Sequence, residues 1–342
     1  MRAIVLKGHG GPADLEVSEV DEPEAGPGEV KVRVAAAGIN FADLMATEGL
    51  YPDAPKPPCV LGYEIAGEVE SVGPAAERFD PGDRVFAPTM FGGYSEMVTV
   101  PEGDVYPVPE GMSFEAAASI PVNYCTALAA LVLMGGLMEG QRVLVHAAAG
   151  GVGIAATQIA RKYGAEVFGT ASASKHDAIR EQGVEHPIDY RSVDFAEEIL
   201  RLTGGEGVDL IIDATGPTNF RKDYRLLRPG GKLVMFGSSE LSGARGLLDR
   251  KTISALVRMP LSTLPWWKSF GTISENKGVF GLNLLDWWKD EGLGRLGTMM
   301  ESEIEAGTFR PVVDRSFSFD QVTEAHDFIR SRQNVGKVVL VP

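Results

Sequence analysis

Apolar and polar positions follow two different patterns along the chain. Up to about residue 121, short runs rich in β-branched residues alternate with Gly and Pro, which is typical of strands joined by turns. The predicted strands of this part are 3–6, 29–35, 65–72, 84–86 and 95–100. Residues 38–44 change to the pattern of a short helix, which Asn40 or Asp43 could cap. We therefore expect a compact, barrel-like β domain.

Beyond about residue 122, apolar runs alternate with stretches at helical spacing. The predicted strands are 142–146, 166–168, 186–189, 208–213, 232–237 and 279–282. The predicted helices are 154–163, 175–182, 193–202 and 219–227. Such alternation indicates a parallel sheet with right-handed helical crossovers. A final helix, 319–330, and a final strand, 337–341, follow.

The stretch 141–169 is the clearest functional motif. A buried strand leads into a turn of small residues, and a helix and a second strand follow. The spacing is A-x-x-G-x-x-G rather than G-x-G-x-x-G, and the residues of the turn are Ala147, Gly150, Gly151, Val152 and Gly153. Bare amides at a helix start and the helix dipole both favour a pyrophosphate. An ordinary turn packed with small residues is the alternative, but the strand–turn–helix–strand context favours a dinucleotide.

Composition excludes several classes of protein. The chain has 342 residues with 32 Lys and Arg against 47 Asp and Glu, a net charge of -15. This balance argues against a general nucleic-acid binder and against electrostatic docking on anionic lipid. Only Cys59 and Cys125 occur, so no disulfide framework is expected. The N-terminal apolar run is too short for a signal peptide, and residues 254–267 are too short to span a bilayer. We expect a cytoplasmic protein without direct membrane insertion.

The end of the second strand predicts which nicotinamide cofactor is used. NAD-preferring proteins usually place Asp or Glu there to bind the ribose 2′-hydroxyl. Residues 168–175 contain no acid. Thr170 lies in this segment, and the hydroxyls of Ser172 and Ser174 with the Lys175 ammonium can bind a 2′-phosphate. The segment predicts NADPH, although Lys175 alone could be a solvated helix-start lysine.

Several motifs in a fixed order resemble a known family. They are GINFADL, GLYP, LGYEIAGEVESVG, PGDRVFA, GGYSE, AAAGGVG and NVGKVVLVP. The chain resembles the zinc-free branch of the medium-chain dehydrogenase/reductase superfamily and, within it, quinone oxidoreductases. FGTASASKHDAI, HPIDY and QNVGKVVLVP are most similar to homologues of vesicle amine transport protein. The resemblance implies an α/β protein: a GroES-like β-rich catalytic domain, residues 1–121 and 309–342, and a doubly wound, NADPH-binding Rossmann domain, residues 122–308. It also implies a homodimer that pairs sheet edges near Phe280.

Departures from the zinc-using members predict that no metal is bound. Those members have a Cys ligand at the position of Asn40 and a His ligand at that of Tyr63. Glu64 is retained, but a catalytic zinc needs about three protein ligands. The five histidines show no ligand spacing.

Further cofactor contacts are implied by the resemblance. Asn40 and Thr126 match residues beside the nicotinamide ring, Lys175 and Tyr190 match contacts to the 2′-phosphate, and Asn334 lies in a loop that closes on the cofactor. Gly237 and Ser238 match a contact near the nicotinamide ribose, and Phe280 to Leu282 match a strand that holds the carboxamide. As alternatives, Asn40 could only cap a helix, Thr126 could be a helix-start hydroxyl and Phe280 could belong to the core.

Hydride transfer to a quinone or an enone creates negative charge on oxygen, which hydrogen-bond donors stabilise. Tyr51 is the first candidate donor, because it matches a catalytic Tyr of similar enoyl thioester reductases. Tyr63 is the second, and Asn40 lies in the same site by resemblance. Either tyrosine could instead be structural.

Three functions stay open from the sequence. The first is an NADPH-dependent reductase of small lipophilic quinones or α,β-unsaturated carbonyls. The second is an enoyl-thioester reductase, which would need a basic site for a CoA phosphate. The third is an NADPH-binding protein whose main role is association with membranes, vesicles or other proteins. A Trp-rich region, with Trp266, Trp267, Trp287 and Trp288, could form an apolar entrance or partner surface, or simply pack in the core.

Overall fold

The computed structural model describes residues 1–216, 218–239, 271–291 and 294–342. The strands are β1 Arg2–Leu6, β2 Leu15–Glu19, β3 Glu29–Ile39, β4 Cys59–Val60, β5 Glu64–Val72, β6 Arg84–Pro88, β7 Met97–Pro101, β8 Tyr106–Pro107, β9 Arg142–Val145, β10 Glu166–Ala171, β11 His186–Asp189, β12 Val208–Asp213, β13 Leu227–Met235, β14 Gly278–Gly281, β15 Val313–Ser318 and β16 Lys337–Val341. The helices are α1 Phe41–Thr47, α2 Phe114–Ala117, α3 Pro121–Leu128, α4 Gly151–Lys162, α5 His176–Gln182, α6 Phe195–Leu202, α7 Phe220–Leu226, α8 Leu284–Glu291, α9 Gly294–Glu305 and α10 Val322–Arg330. A π-helix, Ala129–Met134, follows α3.

The chain forms two compact units. Unit 1 contains Met1–Cys125 and Leu285–Pro342, and unit 2 contains Thr126–Leu284. Residues 122–125, 285–291 and 294–308 therefore belong to the β-rich unit, whereas the sequence assigned them to the nucleotide-binding domain. Trp288 of α8 is buried in unit 1 and donates from Nε1 to Asp104 Oδ2 over 3.1 Å, as the packing alternative predicts. Trp266, Trp267 and the stretch 254–267 lie outside the described residues.

Unit 1 is built from two mostly antiparallel sheets, in which β15 and β16 form a parallel pair. A seven-stranded sheet has the order β15-β16-β3-β5-β6-β8, with β7 also paired to β3, and β2-β1-β4 form a smaller sheet. Its core consists of apolar side chains, many of them β-branched residues on these strands such as Val32, Ile65 and Val85. The last strand, β16, pairs antiparallel with β3 and returns the end of the chain to this unit.

Unit 2 contains one parallel sheet of six strands in the order β11-β10-β9-β12-β13-β14. The central strands are apolar on both faces because helices cover both sides, and Leu144, Phe168 and Ile211 form the middle of the core. The strand order reverses between β9 and β12, and ligands of open α/β sheets bind at such a switch point. The predicted fold class, a GroES-like β-rich domain plus a Rossmann sheet domain, is confirmed.

Two helical features differ from the sequence prediction. Strand β3 continues to Ile39, so α1 begins at Phe41 rather than at residue 38. One stretch, Phe114–Met134, is long and apolar enough to cross a membrane, but 78% of its most apolar window is buried inside the protein. That burial is the profile of a core helix.

Candidate active site

The predicted site residues fall into two sets, one in each unit. In unit 1, β16 and β5 both pair with β3, so Lys337 at the start of β16 and Glu64 at the start of β5 meet beside Asn40. The Lys337 ammonium donates to the Glu64 carboxylate and, over 2.6 Å, to Asn40 Oδ1. Asn40 Nδ2 donates to Glu64 Oε1 over 2.9 Å. The three side chains form a closed polar network in the interior of the unit.

The rest of the network explains why it is tolerated. Glu64 is 0% and Lys337 3% exposed, so the pair is fully desolvated. The Val122 N–H donates to Glu64 Oε2 over 2.8 Å. Gly38 makes room for the pair, because a Cβ there would lie 2.6 Å from Glu64 Oε1 and 2.7 Å from Lys337 Cε. A buried ion pair offsets its desolvation only when its polar atoms are satisfied in this way.

These contacts do not fit a catalytic zinc at the position used by zinc-dependent relatives. Asn40 is committed to Glu64 and Lys337, and a dication would have to displace the ammonium from Glu64. Tyr63 offers a phenol in place of an imidazole. Within the described ranges, the only group of three metal-ligand side chains is Glu166, Glu185 and His186 in unit 2. Three protein ligands around one open position are not present at Asn40.

A second carboxyl group lies directly behind this network. Asp43 is fully buried in the first turn of α1 and accepts from the Asn40 N–H over 2.8 Å and the Gly62 N–H over 3.1 Å. Burial raises the pKa of Asp43 to about 7, although these two N–H groups stabilise the carboxylate. The Asp43 carboxylate therefore caps the backbone at the start of α1, as part of a capping box with Asn40.

The two candidate tyrosines lie against each other and differ in exposure. Their ring centroids are 6.0 Å apart in an edge-to-face arrangement, and Phe91 packs on the other side of Tyr63 at 5.1 Å. The Tyr63 hydroxyl is buried and makes no hydrogen bond within the described part of the chain. Tyr51 is partly exposed. Burial and, to a lesser extent, the Asp53 carboxylate raise the pKa of Tyr51 to about 12, so its hydroxyl stays protonated at neutral pH.

In unit 2, the turn after β9 has the geometry of an anion site. Gly150 precedes α4, and the first amides of a helix have no intrahelical acceptor. Gly153 is required by the close approach of the backbone, since a Cβ there would lie 2.4 Å from Ala147 O and 2.7 Å from Ala148 Cα. Thr170 at the end of β10 holds the turn: its hydroxyl accepts from the Ala147 N–H over 3.3 Å. Gly151 and Val152 form the first turn of α4. The predicted turn residues are thus contiguous and fit a pyrophosphate.

The segment after β10 carries the predicted phosphate-binding side chains. Ser172 and Ser174 lie with their hydroxyl oxygens 3.3 Å apart, and Lys175 follows directly before α5. The first acid after β10 is Asp177, which is bonded to Arg180 over 2.9 Å. Tyr190, just beyond β11, is 42% exposed. The strand register brings these residues to the same edge of the sheet as the glycine turn.

The remaining predicted residues are divided between the units. Thr126 is buried in unit 2; Gly237 and Ser238 follow β13 there. Phe280 is 38% exposed on β14, while Leu282 is buried, which favours a surface role over a core role for Phe280. Asn334 lies in unit 1 and donates from Nδ2 to Gly336 O over 2.8 Å.

The partners that hold these groups in place are not among the residues predicted from the sequence. They are Lys337, which binds Asn40, and His146, which directly precedes the glycine turn. His146 is 3% exposed, and its Nε2 lies 2.9 Å from Asp223 Oδ1. The sequence feature that could have identified His146 is its position at the end of a buried strand, next to the predicted anion-binding turn. Asp223 carries no such signal, because only the tertiary fold brings α7 to β9.

Comparisons with known proteins agree with this geometry. A family profile described as "Alcohol dehydrogenase GroES-like domain" matches residues 26–110, and one described as "Zinc-binding dehydrogenase" matches residues 182–340. The synaptic vesicle membrane protein VAT-1 homolog of Rattus norvegicus is 39% identical over 100% of this chain and 84% of its own length. The quinone oxidoreductase of Homo sapiens is 32% identical over 100% of this chain and 98% of its own. The Escherichia coli quinone oxidoreductase, solved in complex with NADPH, is 28% identical with a TM-score of 0.83 and covers 100% of both chains.

The family suggested by the sequence motifs is therefore confirmed. The β-rich unit, the parallel sheet with its glycine turn and the full-length relatives agree with one another. The chain belongs to the medium-chain dehydrogenase/reductase superfamily, in the group that contains the VAT-1 homologues and the quinone oxidoreductases.

Proposed function

We propose that this protein is a zinc-independent oxidoreductase that transfers a hydride from NADPH to a quinone or an α,β-unsaturated carbonyl. The proposal rests on the residues that follow strands β9 and β10 in the unit 2 sheet. There, a glycine turn suited to a pyrophosphate lies beside an acid-free segment with Ser172, Ser174 and Lys175. The similarity to quinone oxidoreductases, one of them solved with NADPH, supports the same reaction class.

The preference for NADPH follows from charge. A carboxylate at the end of β10 would repel a 2′-phosphate, and the segment from Phe168 to Lys175 has none. The hydroxyls of Ser172 and Ser174 can donate hydrogen bonds to the phosphate, and the Lys175 ammonium adds a charge-assisted one. Tyr190 is exposed at the next strand end and can cover the adenosine phosphate.

The cofactor supplies the hydride, and the chain's own residues bind, orient and stabilise charge. The Tyr51 hydroxyl donates a hydrogen bond to the acceptor oxygen as negative charge develops there. Its pKa of about 12 keeps the proton in place at neutral pH. The Tyr63 hydroxyl is buried. Tyr63 therefore acts by packing its ring against the Tyr51 ring in an edge-to-face contact. Asn40 is held in one orientation by Lys337 and Glu64.

Zinc independence is supported by the same network. Where a metal would need ligands, Glu64 is already neutralised by Lys337. We expect metal analysis of the purified protein to find no stoichiometric zinc and chelator treatment to leave turnover unchanged. Stoichiometric bound zinc would contradict this part of the proposal.

The test of the reaction is the loss of bound NADPH fluorescence with a panel of acceptors: a small quinone, a bulky polycyclic quinone, an alkenal and an enoyl-CoA. We expect rapid oxidation by a quinone or by the alkenal. The Tyr51→Phe variant should lose about 100-fold in kcat, as expected for removal of one oxyanion donor. Tyr163→Phe, at the end of α4, is the matched control and should be unchanged. An unchanged Tyr51→Phe variant would remove Tyr51 from the mechanism.

A second candidate function is supported by the relative named as a synaptic vesicle membrane protein homolog. In that case, the protein binds NADPH but serves mainly in association with vesicles or with a partner. Tight NADPH binding without oxidation by any acceptor in the panel would favour this function.

The assembly is proposed to be a cytoplasmic homodimer. Strand β14 is at the edge of the six-stranded sheet, and Phe280 on it is 38% exposed. Edge-to-edge pairing of two such sheets would cover Phe280 and provide the β14 backbone with partners. Light scattering should give twice the mass of 36.6 kDa, and a Phe280→Glu variant should give one copy. Both cysteines are free thiols, in agreement with a reducing compartment.

A further inference from the structure

A buried histidine with two acidic neighbours lies beneath the glycine turn. His146 ends the run that begins with β9, and its ring is bonded on both sides. Nε2 lies 2.9 Å from Asp223 Oδ1, and Nδ1 lies 3.0 Å from Thr170 Oγ1. The Thr170 hydroxyl also accepts from the Ala147 N–H, the first amide of the turn. A continuous chain of contacts thus runs from Asp223 through His146 and Thr170 to the turn.

The cluster carries more negative than positive charge. Asp223 is 0% exposed, and its Oδ2 accepts no hydrogen bond from the described residues. Asp213 at the end of β12 is 1% exposed, and its carboxylate is held by Thr215. With a neutral imidazole, the two carboxylates give the cluster a charge of -2, and an imidazolium reduces it to -1.

The other neighbours of His146 do not neutralise this charge directly. The Phe195 ring packs edge-on at 4.8 Å. On that ring lies Lys222, at 5.4 Å from its centre, and this ammonium is already bonded to Asp194 over 2.6 Å. Burial lowers the pKa of His146, but the carboxylates of Asp223 and Asp213 outweigh it and raise that pKa above its usual value. Burial raises the pKa of Asp213 as well.

The hydrogen bonds change with the protonation state of the imidazole. When Nε2–H donates to Asp223 and the ring is neutral, Nδ1 accepts from the Thr170 hydroxyl. When the ring is charged, Nδ1–H donates to Thr170 Oγ1. The Thr170 hydroxyl then no longer donates to His146 and can donate to another acceptor. The protonation state of His146 is therefore transmitted to the residue that holds the turn.

We propose that His146 is a positioning residue of the cofactor-binding turn, and that binding of the anionic dinucleotide there is coupled to uptake of a proton by the His146 imidazole, beside Asp213 and Asp223. This inference rests on the proposed NADPH site. A pyrophosphate next to two buried carboxylates is repelled by them, and each proton gained by the cluster weakens that repulsion. Thermodynamic linkage then requires that the cofactor raises the proton affinity of the cluster by the same factor.

The test is calorimetry of NADPH binding at pH 7.5 in buffers with different ionisation enthalpies. For the wild-type protein, we expect the observed binding enthalpy to vary with the ionisation enthalpy of the buffer. The slope should correspond to net uptake of up to one proton per NADPH bound. The NADPH Kd should rise with pH by at most about tenfold per pH unit, the limit for one coupled proton. His146→Gln cannot titrate, so its uptake should disappear and its Kd should be weaker and less dependent on pH.

Two further histidines of unit 2 give matched controls. His186→Gln alters a histidine at the start of β11 that pairs with Glu166, and it should keep the proton uptake of the wild type. His176→Gln alters the histidine next to Lys175, and it separates any uptake by the 2′-phosphate site from uptake by the cluster. Uptake that persists in His146→Gln and disappears in His176→Gln would overturn the proposal.

A second readout uses the unaltered protein. In protein labelled with 15N-histidine, the His146 ring nitrogens should shift toward the imidazolium values when NADPH is added at pH 7.5. NADPH binding without any proton uptake in the wild type would overturn the coupling alone. Absence of NADPH binding would overturn the cofactor assignment and, with it, the coupling.

Discussion

Replacing Lys337 with methionine tests the buried network of unit 1. The change keeps most of the side-chain volume, shortens the side chain by one heavy atom and removes its charge. Glu64, which is 0% exposed, would keep only the donors from Asn40 and Val122. Breaking a buried pair by removing one partner costs about 3–5 kcal/mol, because it leaves an uncompensated buried charge. For a unit of this size, about 2–4 °C is lost per kcal/mol, so Tm should fall by roughly 6–20 °C.

The double variant Glu64→Gln/Lys337→Met separates this charge effect from lost packing. It removes both charges and keeps the side-chain volumes, so we expect it to recover most of the stability lost in Lys337→Met. The control is Arg33→Met, which breaks an exposed pair with Glu70 and should change stability by less than about 1 kcal/mol. Thermal unfolding followed by circular dichroism is the assay. A Lys337→Met variant as stable as Arg33→Met, or a double variant no more stable than Lys337→Met, would show that the charge of Lys337 does not stabilise buried Glu64.

Three other changes give separate tests. Lys175→Ala should weaken NADPH binding about tenfold and leave NADH binding within about twofold, measured by fluorescence titration, since only NADPH has the 2′-phosphate; equal losses for both cofactors would exclude a phosphate contact. Gly153→Ala should abolish measurable NADPH binding, because the new Cβ would lie 2.4 Å from Ala147 O, while Gly103→Ala, with nothing within 4 Å, should bind normally. His326 is buried, and burial together with the Arg330 charge lowers its pKa from 6.5 to about 3. The unfolded chain therefore binds this proton at a higher pH than the folded protein, so stability should fall as pH drops below about 6.5 toward 3. In measurements of Tm from pH 7 to 4, His326→Phe should show a smaller decrease than the wild type.

Much of unit 2 could be predicted because local pattern and fold agree there. The glycine turn lies between a buried strand and a helix, as its sequence predicts, and the anion site at this turn stays a prediction. The absence of Asp and Glu from residues 168–175, on which the predicted preference for NADPH rests, is visible directly in the sequence. The strands 186–189 and 208–213 have the bounds that their apolar runs predict.

The interior contacts could not be predicted, because they depend on sequence separations that no local pattern records. Lys337 meets Glu64 and Asn40 only after β16 has paired with β3. Asp223 reaches His146 only because α7 packs on the sheet, 77 residues further along the chain. The roles of Gly38 and Asp43 follow from these contacts in the same way, since one provides space and the other caps a helix behind the network.

The domain boundaries were harder to predict than the helices and strands. The amino-acid sequence of α8 and α9 does not indicate which unit these helices cover. In the structure, the buried face of α8 places Trp288 against Asp104, so the segment packs with unit 1. Helical periodicity shows that a face is buried, but not the surface that buries it.

The most direct test of the account is single-turnover oxidation of bound NADPH by a small quinone and by an alkenal, in protein treated with a chelator and shown to be free of zinc. We expect fast oxidation by at least one of them, with a rate about 100-fold lower in Tyr51→Phe. A protein that binds NADPH but does not oxidise it with either acceptor, or that needs added zinc to do so, would contradict the assignment as a zinc-independent reductase.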